Sequence, residues 1–101
     1  MDVDALSKAG QMIDREGLTK AGRALEKHGG RSGSIFPKAT GNTLSKNMQG
    51  QFHLDDILTS PKGVVLKDFE KGGFKLYTPE GRGAYFRNDG TLRGFIERQY
   101  E

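Results

Sequence analysis

Four short strand-like runs occupy the C-terminal part of this 101-residue chain. Each run is rich in aliphatic or aromatic residues, and turn-forming residues separate consecutive runs. The runs are residues 64–69, 74–78, 83–87 and 92–97, and the turns contain Gly72-Gly73, Glu80-Gly81 and Asp89-Gly90. Because short glycine-containing connections join antiparallel strands, the pattern predicts a four-stranded antiparallel meander.

The N-terminal half has helical periodicity instead. Apolar residues recur three and four positions apart within residues 4–14, 20–28 and 44–59, which predicts three helices. Asp4 and Thr19 are expected to cap the first two helices, and Gly29-Gly30 to end the second in the left-handed conformation. The residues of the third helix expected to face the core are Leu44, Met48, Phe52, Leu54, Ile57 and Leu58.

A long irregular segment, residues 29–43, separates the second and third helices. Loops of this length are uncommon in small domains unless they are functional or disordered. Ile35 and Phe36 provide an apolar anchor, which favours an ordered loop. The predicted fold is therefore a single α+β domain over residues 1–101, with N-terminal helices packed on the meander. Its parts are helices over 1–28, a basic loop over 29–43, a helix over 44–59 and the sheet over 64–97.

Charge is distributed unevenly along the chain. Between Lys27 and Leu54 there is no carboxylate, whereas both histidines, several cations and many neutral hydrogen-bond donors lie there. The formal net charge is only +3, so the position of the charges is more informative than their sum. A segment that excludes anions and supplies cations and donors is suited to bind an anion. For a basic chain, the anion that we expect is a nucleic-acid backbone.

The composition excludes several classes of chemistry. There is no cysteine, which rules out disulfides, thiolate zinc sites and cysteine nucleophiles. No metal-ligand spacing, P-loop or dinucleotide motif is present, so we expect neither a metal site nor a cofactor. No apolar run is long enough to span a membrane, and the first residues lack the pattern of a signal peptide.

The side chains that are present fit acid/base chemistry on RNA without a metal. The RNA 2′-hydroxyl is an internal nucleophile, so cleavage requires a base, an acid, and cations or amides around the phosphorus. His28, at a helix end, is the leading candidate for proton transfer, and the competing role is to cap that helix. His53 is expected to pack or to be exposed. Arg31 and Lys38 flank the Phe36 anchor and are placed to clamp a phosphate, unless they are ordinary solvated charges.

One predicted hairpin contributes further candidates from the sheet. Tyr85 and Arg87 are two positions apart and should share a strand face opposite Phe86. A ring beside a guanidinium suits base stacking and phosphate binding, and an ordinary exposed strand face is the competing interpretation. The predicted catalytic residues are His28, Arg31, Thr78, Arg82 and Tyr85. The predicted RNA-binding residues are Lys27, Lys38, Lys46 and Arg87. We expect the carboxylate-free segment and the strand 83–87 to close over one groove, so that His28 and Arg82 share it.

Several short stretches follow one another in a specific order. They are residues 18–34, Phe36-Pro37, Gly41-Asn42, Asn47, Gly50-Gln51, and residues 55–59, 81–86 and 89–97. This order resembles the C-terminal toxin segment of contact-dependent growth inhibition (CdiA-type) proteins, over residues 18–97. The resemblance implies a fold similar to the barnase/EndoU/colicin/RelE group of ribonucleases.

The resemblance also implies a function. Toxins of this kind cleave transfer RNA without a metal in the cytoplasm of a neighbouring bacterium, are exported as the tip of a large cell-surface protein, and are blocked by a cognate immunity protein. Catalytic residues vary widely within the group, so the acid and the base are unassigned, and whether an elongation factor assists is open. The alternative functions are a non-catalytic nucleic-acid-binding module that uses the same basic surface and an interaction domain for an acidic protein.

Overall fold

The structure, a computed structural model, describes residues 2–67 and 71–98. In chain order its elements are α1 (Val3–Gln11), β1 (Ile13–Arg15), β2 (Leu18–Thr19), α2 (Lys20–His28), α3 (Thr43–Leu58), β3 (Val64–Lys67), β4 (Phe74–Tyr77), β5 (Arg82–Phe86) and β6 (Leu92–Glu97). The predicted α+β class is confirmed. The predicted meander is also confirmed, with strand order β3-β4-β5-β6 and antiparallel neighbours. Residues 68 and 69, expected to extend the first strand of the sheet, lie outside the described residues.

The first helix is shorter than its sequence pattern predicts. Its N-cap is Asp2 and not, as expected, Asp4. It ends at Gln11, earlier than predicted, because the chain turns into a two-stranded hairpin formed by β1 and β2. Glu16 and Gly17 connect these strands, and both have positive φ, which tight hairpin turns require. The sequence pattern at Glu16-Gly17 therefore marks a hairpin and not merely the end of a helix.

The second helix begins and ends where the sequence predicts. Thr19 Oγ1 accepts a hydrogen bond from Gly22 N at 2.9 Å, so Thr19 is the N-cap. After His28 the chain leaves the helix, and of the two following glycines only Gly30 is left-handed, with φ 76°. Gly29 is extended, so the expected geometry is correct for one of the two residues.

The third helix faces the core with a different stripe from the one predicted. Leu54, Ile57 and Leu58 are buried, as expected. Three residues expected to be buried are instead two-thirds exposed: Leu44, Met48 and Phe52, at 66%, 66% and 67%. Because they are spaced four positions apart, they form one exposed apolar stripe along the outside of α3.

Polar and small residues occupy the inward stripe in the first half of α3. Asn47 accepts a hydrogen bond from Thr19 N at 2.9 Å, and Gln51 donates one to the carbonyl of Ser7 at 2.9 Å. Gly50 lies against the backbone of α2 at Ala21. A helix that packs through hydrogen bonds and a glycine gives no apolar periodicity, which is why the sequence pattern is misleading there.

A single aromatic residue anchors the loop between α2 and α3. Phe36 is 1% exposed and stacks on Phe95 of β6, with ring centroids 4.8 Å apart. Its neighbour Ile35, predicted to share this role, is exposed. Gly30 N donates to the Phe36 carbonyl at 3.1 Å, which folds the loop back onto the end of α2.

A β-bulge decides which side chains of β6 face the helices. The register between β5 and β6 shifts at Tyr85, which leaves Arg93 as an extra residue in β6. Leu92 and Phe95 are both buried although they are three positions apart, which strict alternation would not allow. Arg93 consequently faces the outer side of the sheet, over the Tyr85 ring.

Within residues 2–67 and 71–98, no helix combines the length and the apolar character needed to cross a bilayer.

We expect Gly50→Ala to lower the free energy of unfolding by about 2 kcal/mol, because the added Cβ would overlap the Ala21 carbonyl and force α2 and α3 apart. Urea unfolding followed by circular dichroism measures this change. The control is Gly94→Ala, whose Cβ would meet no atom within 4 Å, and which should stay within about 0.5 kcal/mol of the wild type. Equal losses in the two variants would contradict a close helix crossing at Gly50.

Candidate active site

The Phe36 ring lies between the two histidines of the chain. Its centroid is 5.3 Å from that of His28 and 5.6 Å from that of His53, and both contacts are edge-on. The end of α2, the second half of α3 and the strand β6 therefore meet around one aromatic side chain. Each histidine then belongs to its own polar cluster, on either side of Phe36.

His28 faces a carboxylate that the sequence patterns do not reveal. Its Nε2 lies 3.2 Å from Glu97 Oε1, at an angle unsuited to a hydrogen bond. The same oxygen accepts hydrogen bonds from Ser34 Oγ at 2.7 Å and Ile35 N at 2.9 Å. Burial opposes ionisation of Glu97, but these two hydrogen bonds and the nearby imidazole outweigh it and lower its pKa. Glu97 is thus ionised at neutral pH and ties the loop to the end of β6.

On the other side of Phe36, Arg82 is surrounded by acceptors. Nη1 donates to His53 Nδ1 at 2.8 Å, and Nε donates to Glu80 Oε1 at 2.8 Å. Nη2 donates to Asp56 and to Glu80. Thr78 Oγ1 completes the cluster by donating to Glu80 at 2.9 Å. Within the described part of the chain, no group of three or more acidic or histidine side chains is arranged to hold a metal ion.

The contact with Arg82 fixes the protonation of His53. Arginine can only donate, so Nδ1 of His53 is the acceptor and the ring carries its proton on Nε2. Burial and the positive charge of Arg82 lower the pKa of His53, against the opposing effect of Asp56 and Glu80. His53 is therefore a neutral imidazole at physiological pH.

The two clusters lie on the same face of the sheet. Arg82 and Glu97 are directly opposed on β5 and β6, and opposed residues of antiparallel strands point to the same side. Arg82 reaches α3 through His53, whereas Glu97 reaches α2 through His28. His28 and Arg82 therefore contact different partners, His28 lying against Glu97 and Arg82 against His53.

Tyr85 does not share a groove with Arg82. Because side chains alternate along β5, Arg82 and Ala84 face the helices and Tyr85 faces the outer side of the sheet. There the Tyr85 ring lies beneath Lys75 Nζ and the Arg93 guanidinium, each 4.9 Å from its centroid. The predicted grouping of His28, Arg82 and Tyr85 in one groove is thus not formed. Arg82 and Tyr85 are three positions apart on β5, so their side chains lie on opposite faces of the sheet.

A basic cleft of about 370 Å³ opens beside His28, between α2, the β1–β2 hairpin and β6. Its cationic lining residues are Arg15, Lys20, Arg23, Lys27, Arg31, Arg87 and Arg93. Asp14 is the one carboxylate among the described residues that line it, and it is paired with Lys20 at 3.4 Å and Arg23 at 3.2 Å. So much positive charge around an imidazole is suited to bind a polyanion.

The sequence reveals part of this cleft. The predicted residues that line it are Lys27, His28, Arg31 and Arg87. Lys20 and Arg23 are missed, although they recur with Lys27 at helical spacing, which is the signal that would have found them. Arg15 is missed because the β1–β2 hairpin is not predicted, and Arg93 because a bulge leaves no sequence signature.

A second cavity, of about 450 Å³, brings together the predicted cations of the loop. Lys38 and Lys46 line it together with Lys27 and Arg31, which also line the basic cleft. Lys46 Nζ is paired with Glu26 Oε2 at 2.9 Å, so its charge is partly neutralised. The two cavities therefore form one basic surface that is continuous at Lys27 and Arg31.

Known proteins share this architecture. Residues 6–97 match a family described as the CdiA C-terminal tRNase toxin domain. The chain is 32% identical to the toxic C-terminal tip of CdiA from Pseudomonas aeruginosa, whose 1.75 Å crystal structure contains its immune protein. That similarity covers 87% of this chain and 98% of the other, with a TM-score of 0.70. None of the curated proteins matches the sequence.

We expect Arg82→Met to lower the free energy of unfolding by about 2 kcal/mol, because Asp56, Glu80 and His53 would lose a shared charged donor. Water can replace part of this loss, since both carboxylates are about half exposed. Thermal and urea unfolding measure the change. The control is Lys62→Met, which removes an exposed cation and should cost less than about 0.5 kcal/mol. An unchanged stability in Arg82→Met would show that the cluster does not hold α3 to the sheet.

The lowered pKa of His53 makes stability depend on pH. The folded state binds a proton at His53 less tightly than the unfolded chain, whose histidine has the ordinary pKa of 6.5. The stability that neutral His53 contributes is therefore present above pH 6.5 and is lost as the pH falls towards the lower folded-state value. His53→Asn keeps an acceptor for Arg82 but does not titrate. Urea unfolding from about pH 7.5 to about pH 5 should show a steeper loss in the wild type than in the variant, and parallel curves would refute the assignment.

Proposed function

Since this chain belongs to the family of CdiA C-terminal tRNase toxin domains, we propose that it is a toxin ribonuclease that cleaves transfer RNA in a neighbouring bacterium. The observation that carries this proposal is the position of His28, with Glu97 against its Nε2, beside a cleft lined by cations. An RNA backbone in the basic cleft would have its phosphates among cations and a ribose beside an imidazole. The arrangement supplies both binding and proton transfer.

The proposed reaction is a transphosphorylation that requires no metal ion. The 2′-oxygen attacks the adjacent phosphorus, and the bond from phosphorus to the 5′-oxygen breaks. The 2′-hydroxyl gives up its proton to a base, and an acid delivers a proton to the departing 5′-oxygen. The products are a 2′,3′-cyclic phosphate and a 5′-hydroxyl. We assign one of the two proton transfers to His28, and stabilisation of the charge on the phosphorus oxygens to Lys27 and Arg31.

Glu97 is proposed as the residue that positions His28. Because Nε2 of His28 faces the carboxylate, Nδ1 is the ring nitrogen left for the substrate. The negative charge of Glu97, 3.2 Å from Nε2, orients the imidazole electrostatically and not through a hydrogen bond. The hydrogen bonds from Ser34 and Ile35 hold Glu97 in place, so the loop itself orients the catalytic group.

Arg82 and Thr78 are proposed to support this site rather than to bind substrate. The Arg82 donors are occupied by His53, Asp56 and Glu80, and its side chain is only 13% exposed. We infer that the cluster fixes α3 against β5 and so holds Phe36 beside His28. Tyr85, on the outer face of the sheet, is given no catalytic role.

The same cleft is the proposed target of a cognate immunity protein. The related CdiA tip from Pseudomonas aeruginosa was crystallised with its immune protein. An acidic surface on such a partner would complement the cations of the basic cleft and exclude RNA from it. We further propose that the domain is delivered from the tip of a cell-surface protein and acts in the cytoplasm of the target cell. No elongation factor is part of the proposal.

Purified domain incubated with total transfer RNA and a chelator should release fragments that end in 2′,3′-cyclic phosphate. We expect His28→Gln to lower kcat by about 100-fold or more with little change in RNA affinity. Glu97→Gln, which retains an acceptor for Ser34 and Ile35, should lower kcat by about tenfold and leave KM unchanged. Lys8→Gln, on the exposed side of α1, is the control for loss of a charge.

Three other outcomes of this experiment would contradict different parts of the proposal. Salt-sensitive RNA binding without any cleavage would identify a non-catalytic binding module. Cleavage that the chelator abolishes would contradict the metal-independent mechanism. Full activity of His28→Gln would show that the reaction occurs elsewhere on the domain.

A further inference from the structure

The outer face of the four-stranded sheet carries a second group of cations. Lys75 of β4 and Arg93 of β6 lie on the Tyr85 ring of β5, each 4.9 Å from the ring centroid. Neither forms an ion pair with a carboxylate among residues 2–67 and 71–98. Tyr85 is 8% exposed, and cation–π contacts with its ring hold the two cations in place.

This arrangement of cations is suited to bind an anion. Lys75 approaches the ring from β4 and Arg93 from β6, so two like charges lie on the outer face of the sheet, and an anion bound beside them would reduce their repulsion. A cavity of about 440 Å³ adjoins the ring, with Arg87 and Arg93 in its lining. Asp89 also lines this cavity. Its carboxylate is engaged by Thr91, whose N and Oγ1 donate hydrogen bonds to Asp89 Oδ1 at 2.9 Å and 2.7 Å.

The outer cavity is continuous with the basic cleft. Arg87, which follows β5, and Arg93 of β6 line both, and β6 is an edge strand of the sheet within residues 2–67 and 71–98. At Gly94 there is no side chain, and the space above the strand is open for at least 4 Å. A chain molecule held in the cleft can therefore pass over β6 and reach the cations on Tyr85.

We infer that this outer face is a second RNA contact, which binds the sugar-phosphate backbone of the substrate away from the bond that is cleaved. The inference rests on the proposed ribonuclease function. Tyr85 acts as a positioning residue that holds Lys75 and Arg93 on the outer face of the sheet. RNA long enough to reach both surfaces is bound more tightly than a short oligonucleotide, which fills the cleft alone. The outer face thus makes the enzyme selective for large, folded RNA.

The continuity of the two surfaces favours RNA over an acidic protein as the occupant. A polynucleotide presents a phosphate at every residue and so matches cations spread along a path from one face of the sheet to the other. The open space at Gly94 places no side chain across this path.

The test compares Lys75→Glu with Lys8→Glu, which makes the same change in net charge on α1. Both are assayed on total transfer RNA and on an oligoribonucleotide of about four nucleotides, too short to leave the cleft. For transfer RNA, Lys75→Glu should raise KM about fivefold, leave kcat unchanged and reduce the slope of log affinity against log salt by about 1. It should leave cleavage of the oligonucleotide unchanged, and Lys8→Glu should change KM less than about twofold for either substrate.

A second pair of variants tests the role of the ring. Tyr85→Phe retains the aromatic face and should behave as the wild type, whereas Tyr85→Leu should raise KM for transfer RNA as Lys75→Glu does. If Tyr85→Leu fails to fold, the comparison of Lys75→Glu with Lys8→Glu still tests whether the outer face binds RNA.

Three results would overturn the inference. The first is an equal effect of Lys75→Glu and Lys8→Glu, and the second is an equal loss on both substrates. The third is weakened inhibition by the immunity protein with unchanged RNA kinetics, which would assign the face to that partner. If the domain cleaves no RNA at all, the proposed function fails, and the salt dependence of transfer RNA binding in the same variants still tests the outer face.

Discussion

The packing of Phe36 is the contact on which the rest of the site depends. Its ring is buried against Phe95 and lies between His28 and His53, so one side chain joins the loop, two helices and the edge strand of the sheet. With the ring in place, the loop backbone at Ile35 donates to Glu97, and that carboxylate is held against His28. A segment without regular secondary structure is thereby held in place and orients the His28 imidazole.

Electrostatics divides the surroundings of Phe36 into two environments. On the His28 side, cations line an open cleft and outnumber carboxylates, which leaves positive charge for a ligand. On the His53 side, Arg82 is matched by Asp56 and Glu80, and the imidazole is neutral. A polyanion is therefore attracted to the first side, whereas the second has its charges satisfied internally. The two histidines of the chain therefore lie in different electrostatic surroundings.

Local patterns predict those features of the fold that local interactions determine. The meander follows from its turn residues, and α2 follows from its Thr19 cap and apolar spacing. The inward face of α3 is not predictable in this way, because Gly50 and Asn47 pack there through a close backbone approach and hydrogen bonds to other segments. The bulge that turns Arg93 outward depends on the partner strand, which local periodicity does not contain.

In the candidate site, too, residues close together in sequence are predictable from the sequence, whereas distant ones are not. The carboxylate-free segment predicts Lys27, His28 and Arg31, and these three line one cleft because they are close together in sequence. Glu97 is distant in sequence, so only the tertiary structure brings it to His28.

The most direct measurement of the central claim is ¹⁵N NMR of the two histidine side chains during titration with a transfer RNA made uncleavable by 2′-deoxy substitution. The His28 ring signals should shift on binding, while those of His53 stay those of a neutral ring with its proton on Nε2. A shift of the His53 signals with those of His28 unchanged would place the RNA at Arg82 and contradict the proposed site.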